Sequence, residues 1–537
     1  MSDQHTNSLS ESFIVRTVPL GGGALSLSLQ REGVRQEWLA PRPHDVAGWH
    51  SHAERVRESL QHVDWLSTLS PAIVATGRAA ARLGRASSGG VVVTTGQQPG
   101  LFGGPSYTWS KALGALAMAD ELEAAIGMPV APVFWAASDD ADWLEAAVTY
   151  VATSRGLVSL SLNGPATDAV AMADVPLGDV ADVLGRLRTA CGSMAHGGIF
   201  EQIEAAYVPQ ATIGAAYLQL LRALLEPLGI AVLDAAHAAV REAADPFLRR
   251  ALSHAQPVAD ALAERTEAIR AAGFEPQVEP IDDLSLVFRT QLGATGRARD
   301  RVRERIPVKD AARVAREADI GSLGANVLLR PVLERALLPT VTYLAGPGEL
   351  AYFAQVTAVA LSLQVAIPIV TPRWAGEVLE IAALAELENL DLDEVLLRDP
   401  HAVETALAER ATDERVRDAI DRLRVTTETQ LRAVGDAVAQ AEQVVAAEVV
   451  SGLQRDLAIK LDRFERRVHA GVKRREGALM QRAASLRASL RPLGSSPERV
   501  LNLIPMLVRH GVAVFDGMRA EAVLYARAVV RGTTDIP

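Results

Sequence analysis

The sequence predicts an α/β protein: a Rossmann-like parallel sheet core with inserted helical subdomains, followed by a C-terminal α-helical coiled coil. Three observations predict it. Short, almost wholly apolar β-branched runs alternate with longer amphipathic stretches up to about residue 380, as when helices cover both faces of a parallel sheet. The turns after those runs concentrate glycine, proline and acidic residues, and open α/β sheets bind ligands at such carboxyl ends. From His401 to Arg491 there is no proline, and Ala, Glu, Arg, Leu and Val dominate, which favours long helices.

The strands expected, in order, are GVVVTT (90–95), APVFWAAS (131–138), GIAVLDA (229–235), TVTYLAG (340–346) and AIPIVTP (366–372). The connections 139–228 and 236–339 are too long for simple crossovers, so they hold insertions. Within the second, VADALAERTEAIRAAGFEPQVEP and ARDRVRERIPVKDAARVAREA read as peripheral helices. This gives a core over 1–380, a helical coiled-coil domain over 381–495, and a helical segment over 496–537 returning to the core. In the coiled coil, Leu431, Val434, Val438, Ala441 and Val445 step by three and four residues, as do Leu457, Leu461, Phe464, Val468 and Val472. The phase breaks near Gly452, so an antiparallel hairpin or a bent coiled coil is expected, with an apolar seam that needs a partner. Pro492 and Gly494 stop these helices, and Ser496 with Pro497 starts another.

Composition narrows the classes. With 537 residues, 49% of them hydrophobic, the chain can bury a large core. A net charge of −11 argues against an extended nucleic-acid footprint, so an anionic small molecule would need local positive charge. The long apolar run AYFAQVTAVALSLQVAIPIV is interrupted by Gln355, Gln364 and Pro368, and reads as a buried helix then a buried strand, not a membrane span. The start, MSDQHTNSLSES, lacks the basic and apolar regions of an export signal, and a single cysteine, Cys191, forms no internal disulfide. A cytoplasmic location is expected from both. Cys191 has only His196 near it in sequence and reads as structural.

Four strand ends carry the candidate chemistry. After the first comes TGQQPGLFGGPSYTWSK. Gly100, Gly103 and Gly104 would let an anion approach the backbone at a helix start, with Gln97 and Gln98 orienting a sugar or nucleotide. Lys111 reads as either a solvated lysine or a phosphate contact. The turn is neither a Walker loop nor GxGxxG, and a tight structural turn is the alternative. The second strand leads into SDDADW, where Asp139, Asp140 and Asp142 can hold Mg²⁺, accept a proton from an amine, or bond sugar hydroxyls, unless one merely caps the next helix. The third leads into AGPGELAYF: Gly346 and Gly348 turn the chain, Glu349 favours the helix start or anchors an ammonium group, and Tyr352 follows. The fourth ends in TPRW, where Arg373 is suited to a bidentate carboxylate.

TGQQPGLFGGPSYTWSKA, PVFWAASDDADW, NVLLRPVLERALLPTVTYLAGPGELAYF with PRW after it, and the closing ERVLN together resemble the bacillithiol biosynthesis cysteine-adding enzyme family, the BshC cysteine ligases, over nearly the whole chain. The resemblance implies a Rossmann-like core with connecting insertions, a homodimer formed through the coiled coil, and ligation of cysteine to glucosaminyl-malate in the last step of bacillithiol synthesis. The chain departs from the family at one place, reading Asp140-Ala141-Asp142 where an acidic-His-Asp sequence is usual. Joining a carboxyl group to an amine needs an activated acyl group, so ATP with Mg²⁺ is the expected activator, inferred from reaction energetics and not from a motif. Charge developing on the acyl group would lie beside Gly103 and Gly104, Asp140 or Asp142 would take the amine proton, and Arg373 would hold a malyl carboxylate. Two rivals differ in class. A nicotinamide-dependent oxidoreductase predicts GxGxxG, which is absent from this turn. A catalytically silent or substrate-shifted homologue, a dimeric small-molecule-binding protein, is compatible with Ala141.

Overall fold

The computed structural model describes residues 12–31, 38–164, 170–292, 301–441 and 446–533. All five expected strands form, as β1 (Val91–Gln97), β2 (Val130–Ala136), β3 (Ala231–Asp234), β4 (Thr340–Ala345) and β5 (Val370–Pro372). They make one parallel sheet in the order β5-β4-β1-β2-β3. The chain winds outward from β1 on one side and restarts at β4 on the other, so the strand order reverses between β1 and β4. That reversal opens a crevice beyond the carboxyl ends of the strands.

The strands are apolar because neither face sees water. Val91, Val92 and Val93 of β1 and every residue of β2 are buried. One face packs on an apolar cluster containing Trp65, Leu69 and Leu83, and a second cluster gathers Tyr343, Ala345 and Val370 with Phe353 and Val356. Two helices come next after strands: α1 (Tyr107–Ile126) after β1 and the glycine-rich turn, and α2 (Pro347–Ser362) immediately after β4. Both are buried nearly all round, which explains why α1 lacks the polar stripe of a surface helix. Gly127, in the left-handed region at φ 68°, ends α1 and donates its N–H to Glu123 O. The run 351–370 is helical to Ser362 as expected, but the strand expected from residue 366 begins only at Val370, and among the described residues no helix is long and apolar enough to cross a membrane.

The chain divides into two compact units. The first holds the sheet, both insertions apart from residues 152–158, and the residues from Pro497 onward, whose helix Ala513–Arg531 packs against α1 and the strand Phe13–Thr17. The insertions are not wholly helical. The first contains the hairpin Val148–Thr153 and Gly156–Ser161, and the second a three-stranded antiparallel sheet of Leu284–Leu292, Arg301–Pro307 and Leu323–Ala325. RVRERIP, expected as helix, is therefore a strand. Its alternation of arginine with Val302, Glu304 and Ile306 has the two-residue period of a sheet, and only Val308–Glu317 behind it is helical.

The second unit comprises residues 382–496 with the hairpin tip Ala152–Val158. Its long helices are α3 (Glu414–Gln440) and α4 (Ala447–Arg475). Arg424 on α3 reaches Asp462 at 2.9 Å and Glu465 at 2.7 Å on α4, and Gly435 lies against Val450, so the two run antiparallel as a hairpin. The helical break falls between Gln440 and Ala447, not at Gly452, which sits inside α4. A mid-helix glycine costs only about 1 kcal/mol, and residues 441–446 contain no glycine or proline to mark the break. Val445, expected on the seam, lies outside the described residues.

Candidate active site

A cavity of about 1060 Å³ opens where the strand order reverses. Its floor is made by strand ends: Gly96 to Gln98 at the end of β1, Asp139 and Asp140 after β2, Gly346 to Glu349 after β4, and Arg373 after β5. Its roof comes from the second insertion: the helix Ala255–Ala271, residues 277–286, and Phe288, Arg303 and Arg305 of the antiparallel sheet. That helix, expected to be peripheral, is thus a cavity wall.

The floor is a buried ionic network. Lys111 is 4% exposed, and its ammonium donates to Gly96 O (2.8 Å) and Gln97 Oε1 (2.8 Å) and pairs with Glu349 Oε2 (2.6 Å). Burial lowers its pKa from the ordinary lysine value, and the Glu349 charge offsets part of that. Glu349 also accepts the Gly346 N–H (2.7 Å) and the Tyr343 hydroxyl (2.5 Å). Burial pushes its carboxyl up, but Lys111 and these hydrogen bonds bring it below the usual range. Glu349 is therefore both the helix-start acid and an ammonium anchor, and the ammonium is the chain's own. Beside it Arg330 pairs with the buried Glu334 (2.9 Å), whose carboxyl burial raises to about 7, and reaches Tyr343 and Tyr352.

Gly346, Gly348, Tyr352, Gln97 and Gln98 line the cavity as the sequence suggested. The glycine-rich turn does not. Gly100, Gly103 and Gly104 stand outside the wall, and the turn's N–H groups are taken internally: Gly103 by Gly100 O, Gly104 by Leu101 O, Phe102 by Tyr207 Oη and Ser106 by Leu501 O. Asn502, from ERVLN, donates to Leu101 O and Phe102 O. A Cβ on Gly103 would come within 2.6 Å of the Trp109 ring, and one on Gly100 within 2.7 Å of Gly104 Cα. The glycines let the turn fold tightly on itself, so the expected cradle for a phosphate or acyl oxyanion is not formed there. Lys111, buried in its ion pair, is neither a solvated lysine nor an open phosphate contact.

The aspartates separate. Asp142 is exposed, accepts the Glu145 N–H as the cap of the short helix Trp143–Ala147, and lies outside the cavity wall, which removes it as a proton acceptor there. Asp140 lines the cavity and receives the Gln98 amide at 2.6 Å, with Arg303 4.0 Å away. Asp139, the first acid of the expected cluster, lines the cavity beside them. Burial raises its carboxyl above the ordinary value, Arg303 opposes, and the Asp140 charge adds to the rise. Ala141 is not part of the wall.

Arg373 also changes role. Its Nη2 donates to Glu498 Oε1 at 2.6 Å and its Nη1 to Glu498 Oε2 at 3.1 Å and to Trp374 O at 2.7 Å. Both partners are 3% exposed. The bidentate carboxylate predicted for this arginine is real, but it belongs to the chain itself. Cys191 is buried, with a thiol that burial raises to about 11, in keeping with a structural cysteine. The sequence reading missed Arg303, Arg305 and Arg330 as wall residues and Glu498 as a partner. The signal available for the first two was the period-two placement of arginine in RVRERIP.

Among the described residues no three carboxylate, imidazole or thiol side chains converge as a metal cage. Fold and cavity together define a Rossmann-like α/β protein with a small-molecule site at its switch point, built on carboxylates and arginines. A family model described as "Bacillithiol biosynthesis BshC, N-terminal Rossmann-like domain" matches residues 47–374, and one described as "Bacillithiol biosynthesis BshC, C-terminal coiled-coil domain" matches 380–523. Relatives named "Putative cysteine ligase BshC" include one from Solibacter usitatus, 31% identical over 81% of this chain and 84% of its own length. Those from Koribacter versatilis (30%, covering 84% and 85%) and Salinibacter ruber (28%, covering 80% and 80%) are similar. The chain belongs to the BshC family.

Proposed function

We propose that the protein is a carbon–nitrogen bond-forming ligase that joins the carboxyl group of cysteine to the amine of glucosaminyl-malate, the last step of bacillithiol synthesis. The observation that carries the reading is the pairing, in one cavity, of a desolvated acid with a raised pKa, Asp139, and a hydrogen-bonded acid beside it, Asp140. An attacking amine must be deprotonated as the new bond forms. A carboxylate whose pKa burial has raised is a better acceptor for that proton than an ordinary one. Asp139 takes the proton, and Asp140, fixed by Gln98, orients the substrate ammonium or hydroxyls.

Activation of the cysteine carboxyl needs a nucleoside triphosphate as co-reactant, proposed from the reaction's energetics to be ATP with Mg²⁺. The glycine-rich turn does not fit its phosphates, since the N–H groups of Phe102, Gly103, Gly104 and Ser106 are already bonded within the protein. The test incubates purified protein with cysteine, glucosaminyl-malate, ATP and Mg²⁺ and follows bacillithiol by mass spectrometry. Product that requires all three organic substrates is the expected result. No product, with glucosaminyl-malate bound unchanged, favours a silent binding protein instead.

The working form proposed is a homodimer joined through the helical unit. Val434 is 47% and Phe464 50% exposed on the α3–α4 hairpin, with Leu423, Leu453 and Ile459 also exposed. A two-helix hairpin cannot cover such residues by itself, and burial contributes about 25 cal/mol per Å² of apolar surface. Light scattering at micromolar concentration should give a dimer, and Val434→Glu with Phe464→Glu should shift it to monomer. A monomeric wild type refutes this assembly.

A further inference from the structure

We infer that Arg303 and Arg305 form a dicarboxylate-binding subsite in the roof of the cavity. It rests on the ligase reading only in naming the malyl arm of glucosaminyl-malate as the group bound. Arg373, Lys111 and Arg330 are paired with Glu498, Glu349 and Glu334, so of the lining cations it is Arg303 and Arg305 of the roof that offer N–H groups to a ligand's carboxylates together. Two residues apart on the strand Arg301–Pro307, Arg303 and Arg305 point to the same face, and both line the cavity. They flank one ring: the Arg303 guanidinium lies 4.5 Å and that of Arg305 5.3 Å from the centroid of Phe288, which pairs with Arg305 across the sheet. Stacking on an aromatic face fixes a guanidinium in plane and leaves its edge N–H groups for a ligand. Arg305 makes no hydrogen bond or ion pair among the described residues, while Arg303 uses one N–H on Asp139 O at 2.8 Å and has Asp140 Oδ1 at the 4.0 Å limit of an ion pair. Two like charges held over one ring repel, and an anion between them relieves that repulsion. Their Cα atoms are separated by about 6.8 Å, two strand steps, which suits one carboxylate on each guanidinium better than the compact oxygens of a single phosphate. The bond from Arg303 to Asp139 O also ties the anion site to the proposed base, so a ligand anchored by its acid arm would bring its amine toward Asp139.

The experiment is calorimetric titration of the full-length wild type, Arg305→Gln, and Arg303→Gln/Arg305→Gln with glucosaminyl-malate, L-malate and inorganic phosphate. Arg305 is exposed, so its single variant retains the fold even if the double variant does not. Expected is a loss of about tenfold to a hundredfold in glucosaminyl-malate affinity for each arginine removed, as for a charged hydrogen-bonded pair, with phosphate affinity unchanged. Equal glucosaminyl-malate affinity in wild type and both variants overturns the subsite and leaves the ligase reading standing. Malate binding that weakens in the variants, in a protein that does not bind glucosaminyl-malate, supports the subsite and counts against that reading. Loss of phosphate affinity alone, or a wild type that binds neither malate nor glucosaminyl-malate, overturns it.

Discussion

Asp139→Asn is expected to lower turnover by about 10²- to 10⁴-fold, the usual loss when a general base is removed, with the fold intact. Asparagine keeps the shape of the side chain and removes its charge. The neighbour should behave differently. The Asp140 charge helps to hold the Asp139 pKa up, so Asp140→Asn lowers that pKa. A base acts when deprotonated, so activity rises with pH through the pKa of Asp139. In Asp140→Asn the acid limb of the kcat/KM profile therefore moves to lower pH, whatever the cost in substrate orientation. Wild-type turnover in Asp139→Asn would refute the base assignment, and an unmoved acid limb in Asp140→Asn would refute the coupling.

Glu498→Ala is expected to destabilise the first unit by about 3–5 kcal/mol, the range found when one member of a buried ion pair is removed. The loss leaves the Arg373 guanidinium buried and unpaired, and withdraws the acceptor of the Gly376 N–H as well. Arg373→Met combined with Glu498→Leu should recover most of it, because replacing both partners by apolar groups removes the uncompensated charge. Urea unfolding followed by tryptophan fluorescence reads both variants. A loss below about 1 kcal/mol in Glu498→Ala would mean that water reaches the guanidinium and that the pair is weaker than its burial indicates. The same pair predicts that Arg373→Ala acts on stability before it acts on any ligand.

Much of the molecule was fixed by local sequence. The five strands were legible because a strand covered on both faces favours apolar, largely β-branched residues, and the shortness, β-branching and flanking glycine or proline of GVVVTT and TVTYLAG favour strand over buried helix. The α3–α4 helices followed from a proline-free stretch with three- and four-residue apolar spacing. Position along the chain also located the site, since the ends of β1, β2 and β4 all border the cavity. What each residue does there was decided by tertiary structure. Asp139, Asp140 and Asp142 are chemically alike in sequence, and only the path of the turn makes one a half-buried acid with a raised pKa, one a hydrogen-bonded wall residue and one an exposed helix cap. Arg373 is a ligand-ready arginine until Glu498, 125 residues later, fills it. Gly103 and Gly104 suit an anion cradle equally well until Trp109, Leu501 and Asn502 close around their turn. Each difference turns on a long-range partner that removes water or satisfies a hydrogen bond, and spacing along the chain carries no record of it.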